Sequence, residues 1–174
     1  MSETPSFAEY PKTVVLKDGL HLVLRPMTAA DAAALRGLRE RLPASERPSL
    51  SSDGSGGTHR ILALDGERVA ALLRLDRGVV PAEEHAGTVA VAIDPEYCGR
   101  RLGTWMLLDG VHLALGLGME RLIATVAASD VDYLAALRRL DFVDEAVPAD
   151  RVPPRESPAV IVLAKRLHPA WPDF

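Results

Sequence analysis

Cysteine is almost missing: Cys98 is the single one among 174 residues. An intrachain disulfide is therefore excluded, and a reducing, cytoplasmic setting fits. No apolar run approaches the ~20 residues that a membrane-spanning helix needs, so no membrane partner is expected. The first residues, MSETPSFAEYPK, lack the basic-then-apolar order of a signal peptide. Basic charge is not in excess. The formal net charge is −4, which gives no electrostatic case for nucleic acid. The phosphate-loop pattern G-x-x-x-x-G-K-[ST] and internal repeats are also absent. What remains is ordinary globular composition, 48 % hydrophobic and 25 % charged, long enough for one domain with a sizeable core.

The chain divides into an arm over residues 1–11, one domain over 12–168 and a tail over 169–174. Residues 13–16 and 20–25 are short apolar runs around Lys17-Asp18-Gly19, a hairpin signal because glycine supplies the positive φ of the turn. Thr28 and Asp31 have capping-box spacing ahead of a helix over 29–42, with Ala33, Leu35, Leu38 and Leu42 available to the core. Residues 43–58, rich in Pro, Ser and Gly, read as a mobile surface loop or a substrate lid. Residues 60–64 and 68–75 form a second hairpin about Asp65-Gly66-Glu67. Further strands are predicted over 121–126, from Phe142 and over 159–164, with a helix over 128–140 capped by Ser129 or Asp130. Its apolar positions are Val131, Leu134, Leu137 and Leu140. Antiparallel strands followed by a βαβα unit predict an α/β (α+β) sheet with helices on both faces.

The centre of the chain is residues 88–116, TVAVAIDPEYCGRRLGTWMLLDGVHLALG. Residues 88–93 are an uncharged, β-branched and apolar run, as in a strand buried on both faces. Asp94-Pro95 ends it. Cys98 to Thr104 then leads into a helix in which Leu102, Met106, Leu107 and Val111 recur at helical spacing. A small-residue loop opening a helix directly after a strand can hold an anion, because the first-turn amides lack intrahelical partners and the helix dipole adds partial positive charge. A ligand carrying phosphate or pyrophosphate is expected there. Trp105 is expected to pack on a neighbouring element.

VAIDPEYCGRRLGTWML resembles the strand, pyrophosphate loop (Q/R-x-x-G-x-G/A) and helix of the GNAT superfamily of acyl-CoA N-acyltransferases. ATVAASDVDYLAALRRLDF resembles its later strand and helix, which usually end in Leu-Gly-Phe. YPKTVVLKDGLHLVLRPMTAAD is similar to the start of GNAT domains fused to acyl-CoA synthetase-like proteins or standing alone. The resemblance implies a mostly antiparallel sheet of six to seven strands and an acetyl-CoA (acyl-CoA) co-substrate. It implies an amine acceptor on a small molecule or protein, no metal, and a monomer or homodimer. It implies that the pantetheine arm pairs with the edge of a splayed strand at Val91, Ala92 and Ile93. The pyrophosphate would meet Cys98, Gly99, Arg100, Arg101, Leu102, Gly103 and Thr104, and the amine would enter from the other side of the splay.

The chain departs from the family pattern at five places. Cys98 replaces the loop's Gln or Arg, Arg101 its first glycine, and Asp141 the glycine of Leu-Gly-Phe. Leu137 stands where many relatives place a tyrosine acid, with Tyr133 one helical turn earlier on nearly the same face. Thr88 stands where fusion-type relatives place a glutamate base, with Glu84 and His85 just upstream. The candidate catalytic groups are therefore Tyr133, His85 and Glu84, weighed against a packed tyrosine and a solvated acidic loop. Cys98 is read as a loop-packing residue, because a covalent role needs an activating base. Arg138-Arg139 divides between phosphate contact and a solvated face. Three functions follow: an active N-acyltransferase, a non-catalytic acyl-CoA-binding regulatory module, or an unrelated nucleotide-binding protein.

Overall fold

The computed structural model describes residues 10–44, 57–78, 85–145 and 160–167. One mixed sheet of eight strands runs in the order β1-β2-β3-β4-β5-β6-β8-β7. β1 (Lys12–Val15) and β2 (His21–Pro26) form the first hairpin, in which Gly19 has φ +87°. β3 (Thr58–Asp65) and β4 (Arg68–Arg77) form the second, turning at Gly66 with φ +60°. β5 is Ala86–Ile93, β6 Arg121–Ala127, β7 Val143–Asp144 and β8 Val160–Arg166. All neighbouring pairs are antiparallel except β5 and β6. The count exceeds the expected six to seven because both strands of the first hairpin and the two-residue β7 all join one sheet.

α1 (Ala32–Arg41) follows a 3-10 turn at Ala29–Asp31. The turn exists because the Asp31 carboxylate accepts from the Thr28 amide at 2.7 Å and from both Arg25 terminal nitrogens at 2.8 and 2.7 Å. The regular helix therefore starts later than the pattern suggested, and Ala33 faces solvent. α2 is Leu102–Gly116 and α3 is Val131–Arg139. α3 is shorter than the predicted 128–140, because the Asp130 side chain accepts the Tyr133 amide at 3.3 Å and caps it there. Of its predicted stripe, Leu134 and Leu137 are buried, whereas Val131 is 69 % exposed.

The helices divide the core in two. α2 and α3 cover one face with Met106, Leu107, Leu113, Leu134 and Leu137 against Leu73, Leu75, Val89 and Ala124. α1 covers part of the other face, with Leu38 and Leu42 against Leu62, Leu64, Leu72 and Ala92. Each fully buried leucine stabilises the fold by about 1.5–3 kcal/mol. β5 buries both faces only in part: Val89 lies under α2 and Ala92, on the opposite face, under α1, whereas Thr88, beyond the end of the α1 core, is exposed. Trp105 also departs from expectation at 40 % exposed, because Leu102, Met106 and Leu107 occupy the sheet-facing side of α2.

Two buried carboxylates tie these layers together. Asp94, at the end of β5, meets Arg41 of α1 at 2.5 Å and Arg68 of β4 at 2.9 Å, and accepts the Glu96 amide at 3.0 Å. Burial works to raise its pKa, but the bonds from Arg68, the Glu96 amide and Arg41 outweigh burial and hold it below the usual carboxylate range. Asp109 of α2 accepts from the Tyr10 hydroxyl and pairs with Lys12, pinning β1 to the helix layer.

Candidate active site

The sheet opens in the middle. β5 pairs with β6 only from Ala86↔Arg121 to Thr88↔Ile123. Beyond that point β5 stays with β4 as far as Ile93, and β6 stays with β8 as far as Ala127. A wedge with its vertex at Thr88 separates them. Residues 89–93 thus leave one backbone edge unpaired over about 17 Å at 3.3 Å per residue, free to bond an amide-bearing chain.

A cleft of about 300 Å³ follows this edge up to the start of α2. Val91 and Ile93 form one wall, the loop with Cys98, Gly99 and Arg101 to Thr104 forms the top, and Tyr133, Ala136 and Arg139 of α3 form the other wall. Lys17 of the first turn closes one end. The first intrahelical bond of α2 runs from the Trp105 amide to the Arg101 carbonyl at 3.2 Å. The amides of Leu102, Gly103 and Thr104 therefore precede any helical acceptor and suit an anion at the positive end of a 15-residue helix.

The loop keeps a glycine-like shape without the glycine. Arg101 has φ +68° and ψ 13°, in the left-handed region that favours glycine. Asp141 adopts φ +63° at the other missing glycine, a conformation aspartate tolerates better than arginine. Gly103 matters for closeness instead. A Cβ there would lie 3.1 Å from Ile93 Cδ1, so its bareness brings the first turn of α2 close to β5.

Nine of the predicted residues line the cleft together: Val91, Ile93, Cys98, Gly99, Arg101, Leu102, Gly103, Thr104 and Tyr133. The Ala92 side chain points to the opposite face, against the α1 core, so only its backbone borders the wedge. Arg100 turns outward, pairs with Asp18 at 3.1 Å and stacks over the Tyr97 ring. His85 is exposed at the base of β5, three residues, or about 10 Å along the strand, below Thr88. Its carbonyl accepts the Glu120 amide at 2.7 Å. Glu84 lies outside the described residues. Cys98 is exposed, with its Sγ 3.7 Å from the Asp94 carbonyl.

Tyr133 is the most informative side chain. Its hydroxyl is buried and makes no hydrogen bond among the described residues. It approaches the Val91 backbone N–H closely enough to feel it, but not in bonding geometry. Burial pushes its pKa well above the ordinary tyrosine value, the Val91 amide opposes the rise, and the Asp130 carboxylate adds to it. The phenol is therefore protonated near neutral pH and can give its hydroxyl hydrogen to an ionised partner. Nearby, Tyr97 donates to Asp65 at 2.6 Å, and its pKa is pushed up to about 12 by burial and then by that bond.

Sequence reasoning named Tyr133 on α3 and weighed Arg139 for phosphate contact, but missed the rest of the α3 wall. Ala135, Ala136, Asp130 and Asp132 border the cleft, and Arg139 joins them while Arg138 turns to Asp144 at 3.4 Å. The signal was present: Tyr133, Ala136 and Arg139 recur every three residues, so they share a face, and Ala136 leaves room beside the phenol.

Residues 28–142 match the family model of the acetyltransferase (GNAT) family. The match spans more than half of the chain, which therefore belongs to this family of acetyltransferases, generally dependent on acetyl-CoA. No curated protein matches the chain in sequence. Among solved structures, the GNAT domain of S. lividans PAT is similar with a TM-score of 0.73 at 20 % identity, covering 92 % of this chain and 98 % of that one. The ribosomal-protein-S18-alanine N-acetyltransferase of Escherichia coli is similar with a TM-score of 0.67 at 18 % identity, over 88 % and 98 % of the two chains. The yncA acetyltransferase of Salmonella typhimurium, solved with its cofactor acetyl-CoA, has a TM-score of 0.67 at 15 % identity, over 87 % and 98 %. These similarities describe the fold, a mixed sheet flanked by helices.

Proposed function

We propose that this chain is an active N-acetyltransferase moving an acetyl group from acetyl-CoA to a primary amine by direct attack. The observation that carries the reading is the buried, unpartnered Tyr133 hydroxyl beside the Val91 amide in the open wedge. The hydroxyl hydrogen has no acceptor among the described residues. Leaving such a group unbonded costs about 1–3 kcal/mol, recovered only when the departing sulfur gains charge and accepts from it.

The roles follow from the chemistry. The amides opening α2, with Arg101, receive the pyrophosphate, and the free edge of β5 pairs with the pantetheine amides. The Val91 N–H stabilises negative charge on the thioester oxygen as the amine attacks. The protonated Tyr133 passes its proton to the departing sulfur, so that thiol rather than thiolate leaves. The amine's own proton leaves through water towards His85 at the base of β5. Holding amine and thioester in line across the wedge supplies much of the acceleration.

Tyr133→Phe tests this. Acetyl-CoA affinity by calorimetry should change less than about threefold, because an unbonded hydroxyl is removed. Thiol release with an accepting amine should fall by about 10²-fold, the effect of losing one acid or oxyanion donor. An unchanged rate removes Tyr133 from the chemistry. Tight acetyl-CoA binding by the natural chain without thiol release from any amine selects the non-catalytic binding module instead.

A further inference from the structure

The face of the sheet that carries α1 changes character one row below it. Leu62, Leu72 and Ala92 are register partners across β3, β4 and β5 and lie in the α1 core. The next row on that face is Arg60, Arg74 and Ala90, and the one after it is Thr58, Asp76 and Thr88. Partners across a sheet share a face, and every second residue returns to it. Neither row belongs to the core under α1. Arg74 meets the Asp76 carboxylate at 2.7 Å, and the Thr58 hydroxyl donates to the same carboxylate at 2.6 Å. Among the described residues, the side chain of the half-buried Arg60 has no hydrogen-bond or ion-pair partner. Among the described residues of these two rows, two guanidiniums thus stand with one carboxylate, and the rows end at Thr88, the vertex of the wedge.

We infer that this patch is the acceptor subsite and that the acceptor is an amine bearing an anionic group, of the amino-acid type. The inference rests on the acetyltransferase reading, in which the amine enters the wedge from the side opposite the cleft. Asp76 holds the ammonium beside the vertex, in the row that contains Thr88. Arg60, one row further up, takes the anion. Rows on one face are about 7 Å apart, a distance a flexible arginine side chain spans, so the two charges of an amino acid meet complementary partners at once. A purely cationic amine would face an excess guanidinium, and like charges in a half-buried site repel.

The experiment compares amino acids with their decarboxylated amines, by thiol release and by binding to the acetyl-CoA-saturated protein. The natural chain should favour the amino acids at least tenfold in kcat/KM. Arg60→Gln should lower kcat/KM for amino acids by about 10- to 100-fold, the effect of losing a charged hydrogen bond, and change it less than threefold for the decarboxylated amines. Asp76→Asn should lower both series while leaving acetyl-CoA affinity unchanged. Equal use of both series, or equal loss of both in Arg60→Gln, overturns the inference while the acetyltransferase reading stands. If no thiol is released, the binding preference decides in the same way. Failure of acetyl-CoA to bind at all removes both.

Discussion

Replacing Arg101 by glycine should move stability and ligand affinity in opposite directions. Arg101 holds φ +68° at the start of α2. A left-handed conformation costs a residue with a Cβ roughly 1–2 kcal/mol. Glycine removes that strain but loses about 0.4–1 kcal/mol through the larger freedom of the unfolded chain. The net gain is about 0.5–1 kcal/mol, or a rise in Tm of about 1–4 °C for a chain of this size. The guanidinium lost lines the cleft, where the proposed function has it attract phosphate. An exposed charge of this kind contributes about 0.2–1 kcal/mol, so acetyl-CoA should bind about two- to fivefold more weakly at low salt. The difference should shrink at 1 M salt, where the screening length falls to about 3 Å. Arg101→Ala separates the effects, because it loses the charge and keeps the strain: affinity should fall equally with no rise in Tm. Thermal unfolding and calorimetry on the three proteins suffice. A lower Tm for the glycine variant would show that the loop is unstrained. Tighter binding by it would show that close backbone approach, rather than charge, governs phosphate recognition.

Asp94→Asn leaves Arg41 and Arg68 without their shared carboxylate and should cost about 3 kcal/mol, lowering Tm by about 6–12 °C; a fall below 2 °C would mean that the pairing is incidental. Asp31 and Asp94 both have folded pKa values below the unfolded one, Asp31 chiefly through Arg25 and the Thr28 amide. Unfolding therefore takes up protons in acid. The stability these groups contribute is full above the unfolded value of about 3.9 and is lost as pH falls through the folded values. Urea midpoints should hold between pH 7 and 5 and drop below pH 4, less steeply in Asp31→Asn. Asp109→Ala removes the acceptor shared by Tyr10 and Lys12 and should cost about 2 kcal/mol, with β1 amides losing protection from hydrogen exchange before those of β4.

Much of the fold was legible in local chemistry. Asp18-Gly19 and Asp65-Gly66 announce their hairpins because the turn demands positive φ, and Thr28 with Asp31 announces α1 because the carboxylate seeks the free amide. Apolar period alone extended α3 back to residue 128, whereas the cap read at Asp130 marks where it starts. Ala92 illustrates a second limit. The run of residues 88–93 is apolar throughout, and only the placement of α1 on one face and α2 on the other decides which side chains border the wedge.

By itself, the sequence determined the strand, loop and helix over residues 88–116, because those depend on residues adjacent in the chain. It also showed a family glycine replaced at Arg101 and Asp141, but not that both positions keep a left-handed φ. Tertiary structure alone decided where β5 parts from β6, since strand pairing joins residues far apart in sequence. It also set the Tyr133 hydroxyl against the Val91 amide and brought Arg60, Arg74 and Asp76 onto one face. Those meetings depend on register across strands and on the seating of α3, and no local pattern encodes either.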